Sequence, residues 1–201
     1  MNETVMKEVK PEKEIKKEPA KKQKPIDKAK PIVFAALVIG IIATYQFGVV
    51  GSDALTADAI SARAAAFNSV PPELIVGSID YLNPAVLSET LPLTGLDSSS
   101  QNQLRTDVQA GNAALHVLHM FDDSSVDGDT VLVSSGSDFK RVVMLTATPQ
   151  PIGVPSYGAG AITVTGLRSE MDGVTASLVT PAGVLPLPLL ALGESISLAT
   201  P

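Results

Sequence analysis

Cysteine and tryptophan are both absent from this chain, and aromatic residues make up only 4% of it. Without cysteine there is no disulfide framework, no thiolate metal site and no thiol nucleophile. Few rings leave little material for a carbohydrate site built on ring stacking. Basic charge is also scarce beyond residue 50. Residues 51–201 carry five basic side chains (Arg63, Arg105, Lys140, Arg141, Arg168) against fifteen acidic ones, a net −10. Only Lys140 and Arg141 are adjacent, so no basic surface for phosphate binding is available and nucleic acid is not an expected partner. Two catalytic signatures are missing as well. There is no G-x-S-x-G nucleophile turn. Gly158-Ala159-Gly160 falls between expected strands and opens no helix, so it is not a phosphate loop. The expectation is a protein that is not an enzyme.

What the chain does contain is three compositions joined end to end. Residues 1–30 hold ten Lys against six acids, with Pro11, Pro19 and Pro25 among them and almost no large apolar side chain. Such a segment buries too little surface to offset its ordering entropy, and a disordered cytoplasmic tail is expected there. Residues 31–51 follow as the expected transmembrane helix. Within them Ile32–Val50 has no charge, and as a helix it would span roughly 28 Å, close to the hydrocarbon thickness of a bilayer. Seven Lys lie in the fifteen residues before it, and the first charges after it are Asp53 and Asp58. The positive-inside rule then predicts a cytoplasmic N-terminus and an extracytoplasmic remainder, periplasmic or extracellular. A cleaved signal peptide is the rival, with Ala57-Asp58-Ala59 as its small-x-small site. The charged lead and the apolar run are both long for that class, so a single-pass signal-anchor contacting lipid through residues 32–50 is preferred.

Residues 52–96 read as an Ala-rich stalk and irregular linker. A helix is expected over Ser52–Phe67 with Ser52 or Asp53 as N-cap, stopped by Pro71-Pro72, and short turns are expected over 73–96. Residues 97–201 read as one domain. An amphipathic helix is expected over Ser98–Met120, capped by Ser100 with Gln103 reaching back, because Leu104, Val108, Gly111, Leu115 and Leu118 recur at helical spacing. From Asp127 the period becomes two. Strands are expected near 130–135, 140–146, 151–155, 161–165, 173–180, 183–190 and 195–199, with Pro186 and Pro188 placing 183–190 at a sheet edge. The fold class is mainly β: a small antiparallel β-sandwich or Greek-key barrel behind one soluble helix. Asp127-Gly128-Asp129-Thr130-Val131, Ser135-Gly136, Val143-Met144-Leu145-Thr146 and Pro149 resemble small β-sandwich modules of bacterial secreted proteins. That resemblance covers residues 126–155 and implies the fold and the outside location, with no particular activity.

Two groups of side chains are candidate metal ligands. In the acidic turn, Asp123, Ser125, Asp127 and Asp129 offer hard oxygens around Gly128, a calcium-like arrangement. Aligned on an EF-hand loop, however, position twelve falls on Ser134, where a bidentate Glu belongs. The competing reading is a turn whose Asp side chains cap backbone amides. On a continuous helix, His116, His119 and Asp123 would share one face as a His/His/Asp cluster, the basis of a metal-dependent hydrolase reading. The expected function is display of a non-catalytic binding or structural module outside the cytoplasm, with a protein partner or a homo-oligomer. A structural subunit of a membrane-associated assembly, such as a secretion or conjugation apparatus or a membrane-containing virion, is the alternative.

Overall fold

The computed structural model describes residues 55–79, 82–124, 128–158, 160–170 and 173–200. The expected tail over 1–30 and transmembrane helix over 31–51 lie outside them. No helix among the described residues is long and apolar enough to cross a membrane.

The chain forms two antiparallel sheets, and the strands from residue 130 onward lie where the period-two patterns predict them. Helix α1 (Ala57–Ser69) comes first, then strand β1 (Gly77–Ser78) and helix α2 (Pro84–Thr90), which runs into a 3-10 turn over Leu91–Thr94. Helix α3 (Ser98–Gln109) leads into β2 (Ala114–Phe121), β3 (Thr130–Ser135), β4 (Phe139–Met144) and β5 (Gln150–Ser156). The remaining strands are β6 (Ile162–Arg168), β7 (Ser177–Thr180), β8 (Gly183–Pro186) and β9 (Ser195–Leu198). One sheet has the order β4-β3-β6-β9. In the other, β2 pairs with β5 along residues 114–120; its opposite edge pairs first with β1 at 116–117 and then with β7 at 119–121, and β8 follows β7.

Alternation sets the inner faces. Val131 and Val133 of β3 and Ile162 and Val164 of β6 are buried, while Thr130, Leu132, Thr163 and Thr165 are only half-buried on the other face. The inward set meets Leu118 and Met120 of β2 and Ile152 and Val154 of β5 in one core cluster between the sheets. A second cluster covers the outer face of the β2 sheet, where Leu115 packs with Leu87 and Leu91 from α2 and its turn and with Leu104 and Val108 from α3. Each such side chain contributes about 1.5–3 kcal/mol of burial. The edges are managed in different ways. Pro151 and Pro155 sit in edge strand β5, and Pro186 sits in edge strand β8 as expected. On edge strand β4, Arg141 donates from its guanidinium to the Leu93 carbonyl, an inward-turned charge that disfavours pairing with another sheet.

Several expectations need correcting. The helix predicted over Ser98–Met120 ends at Gln109. Gly111 takes φ +75°, its N–H bonds to Val108 O at 3.1 Å, and the Asn112 N–H reaches back to Asp107 O at 2.8 Å. This is a Schellman stop, made by the glycine that helical spacing had placed on the apolar stripe. The N-cap is Asp97, which accepts from the Ser100 N–H at 2.9 Å, so Ser100 lies in the first turn rather than at the cap. Leu115 and Leu118 belong to β2, whose two apolar faces serve two different cores. A strand covered on both sides reads as a continuous apolar run, which periodicity cannot separate from a helix. Residues 73–96 are not only irregular: they hold α2, started by Asn83 as N-cap and Pro84 at its first position. Helix α1 is capped by Thr56, which accepts from the Ala59 N–H at 3.2 Å. The seven expected strands from residue 130 onward are all present. The 173–180 strand is shortened to 177–180 and the 183–190 strand to 183–186; beyond them Val174 and Leu190 meet in an isolated bridge.

Candidate functional site

The acidic turn after β2 divides its carboxylates between two sides of the structure. Asp123 is clamped from helix α1. Arg63 Nη1 lies 2.8 and 3.0 Å from its two oxygens, and the Ser177 hydroxyl donates to it from β7. The rest of the guanidinium is used too, with Nε donating to Leu187 O at 2.9 Å and Nη2 to Ala176 O at 2.7 Å. Both side chains of this ion pair are largely shielded, at 11% and 3% exposure. Asp122, the preceding residue, turns the other way with Asp129. Thr175 donates its N–H to Asp129 at 2.6 Å, and its hydroxyl lies 2.9 Å from Asp122 and 3.3 Å from Asp129. Asp122 also accepts from the Ser124 N–H at 3.1 Å, the amide-capping role that the sequence offers as the alternative to calcium.

Of the four calcium candidates, Asp123 and Asp129 are therefore placed in separate hydrogen-bond networks, and Ser125 and Asp127 lie outside the described residues. No group of three or more metal-ligating side chains converges among the described residues. The Arg63 clamp had no sequence signal beyond one cation in an Ala-rich helix, because its partner is sixty positions away.

The two histidines are separated by the same correction that shortens α3. In a strand, positions three apart face opposite ways. His116 is buried at 2% exposure on the side of Leu118 and Met120, with no hydrogen-bond partner for its Nδ1 among the described residues. Desolvation pushes its pKa down, and a backbone hydrogen bond with Gly77 opposes that in part. His119 faces outward, and desolvation pushes its pKa down as well. The helical geometry behind the His/His/Asp cluster does not exist.

What His119 lines instead is a cleft of about 320 Å³ on the outer face of the β2 sheet. It opens where the α2–α3 layer ends and where β1 gives way to β7 along the same edge of β2. Val117 and His119 of β2, Pro151 of β5 and Val179 of β7 line it, with Ile75 and Ile79 on the β1 side. Leu93 and Glu89 supply the side nearest α2, and Glu89 is the one acidic side chain among the described lining residues. Gly153 of β5 lets the Leu91–Thr94 turn approach this closely: a Cβ there would lie 2.9 Å from Thr94 N and 3.0 Å from the Leu93 carbonyl carbon. No sequence reading pointed to this cleft, since its walls come from five separate stretches of chain. Comparison of the chain with protein-family models, with curated proteins and with solved structures gave no match.

Proposed function

We propose that this chain is a single-pass membrane protein that holds a β-sandwich binding module outside the cytoplasm. The observation that carries the proposal is the charge-free run Ile32–Val50, entered from a Lys-rich lead and followed by an acidic remainder. The docking of α1 supports it. Only residues 51–56 separate the run from a helix that Arg63 fixes to the sandwich, so the module would be held close to the bilayer and not on a long tether. The open cleft beside His119 is what favours a binding role over a purely structural one.

The test is topological. Reporter fusions after residue 30 and after residue 201 are combined with fractionation. Activity of the second fusion outside the cytoplasm, retained with membranes, is the expected result; a cytoplasmic or released product refutes the anchored reading. A second reading, a structural subunit of a membrane-associated assembly, draws on the apolar corner of β4, where Val142 and Met144 are 62% and 63% exposed. It predicts that a mild detergent extract migrates as a large complex that dissociates in Val142→Lys.

A further inference from the structure

We propose that the cleft beside His119 is a binding site for a small apolar molecule that carries a protonated amine. The proposal rests on the reading of the sandwich as a binding module, and names the class of ligand that this module takes. Three observations lead there. The cleft is the right size: at the ~30 Å³ that a water-sized group occupies, its 320 Å³ holds roughly ten heavy atoms. Its lining is mostly aliphatic, with Val117, Pro151 and Val179 offering apolar surface that belongs to neither core cluster.

The third observation is the polar part of the lining, which has one sign. Glu89 supplies a carboxylate and His119 a half-buried imidazole, whose pKa burial pushes down. Among the described residues no Lys or Arg lines the cleft. Arg63 and Arg141, two of the five basic residues after residue 50, are already engaged, with Asp123 and with the Leu93 carbonyl. The net −10 of residues 51–201 adds a field that attracts cations and repels anions. An ammonium group at the mouth would donate to the Glu89 carboxylate and to a neutral His119 ring, and its apolar body would cover Val117 and Val179. A carboxylate of the same shape would face Glu89 with like charge. A neutral alcohol would gain the apolar contact alone.

The experiment uses the full chain in lipid nanodiscs and three probes of one shape: benzylamine, benzyl alcohol and benzoate. The protein has only two histidines, so the imidazole Hε1 signals can be followed one by one and assigned with His116→Phe. The expected result is a saturable shift of the His119 signal with benzylamine and no shift of the buried His116. Benzyl alcohol should bind more weakly, and benzoate more weakly still. Glu89→Gln, at an exposed position, should weaken benzylamine by roughly two- to fivefold, as the loss of an exposed ion pair does. Absence of a saturable His119 shift overturns the site. Equal response to benzoate, or an unchanged response in Glu89→Gln, overturns the choice of an amine. Neither failure touches the topology of the chain, which the reporter fusions test separately.

Discussion

Arg63 gives the sharpest test of how this domain is held together. Its guanidinium neutralises Asp123 at 2.8 Å and satisfies the carbonyls of Ala176 and Leu187, with the ion pair largely shielded from water. Arg63→Ala leaves Asp123 buried at 3% exposure with the Ser177 hydroxyl as its one remaining side-chain partner among the described residues. Breaking one side of a buried pair costs about 3–5 kcal/mol. In a domain of this size each kcal/mol lowers Tm by about 2–4 °C, so the expected fall is about 6–20 °C. With no tryptophan to report unfolding, calorimetry or far-ultraviolet dichroism is the suitable assay. The double variant Arg63→Met with Asp123→Leu removes both charges together and should recover much of the loss, because an apolar pair of similar volume replaces a buried ion pair at little cost. A fall of under about 2 °C for Arg63→Ala would show that the pair behaves like a surface contact and that α1 is not fastened by it.

Three further outcomes are expected. Burial lowers the pKa of both His116 and His119 in the folded state, so stability is full above their unfolded pKa of about 6.5 and is lost as pH falls below it. Melting curves from pH 8 to pH 5 should show this decline, and His116→Phe should flatten part of it. Gly153→Ala places a Cβ against the backbone of Leu93 and Thr94, and chemical denaturation should reveal a cost of about 1–3 kcal/mol. Millimolar calcium should leave Tm unchanged, since Arg63 and Ser177 occupy the Asp123 oxygens; a rise that Asp127→Ala abolishes would show that the acidic turn binds the ion after all.

Strands β3, β4, β6 and β9 were legible because each shows one face to the core and one outward. Thr163-Val164-Thr165 and Ser195-Ile196-Ser197 carry that signal in three residues each, and the structure pairs them directly, with Thr165 and Ser195 hydroxyls 2.7 Å apart. β2 was not legible, for the opposite reason. Leu115 serves the helical layer and Leu118 and Met120 serve the inter-sheet core, so alternation vanishes and the spacing from Leu104 mimics a helix. Gly111 was the readable clue, as a helix stop rather than a stripe position. The histidine cluster failed with the helix that was to carry it. The Arg63 clamp and the cleft depend on contacts between distant stretches, which no local pattern encodes.

The arrangement around β2 also constrains how the protein is made. Its three partner strands come from residues 77–78, 150–156 and 177–179, the first before it and the others well after. As the chain grows, the β3–β4 hairpin can close as soon as its own residues have emerged, whereas β2 must wait for most of the domain to follow. Pairings this distant carry a large closure cost and form late. During that interval the apolar run Ala114–Phe121 has no sheet to occupy. It is the stretch in which an early stall or a slow partner would leave the nascent chain most prone to mispairing.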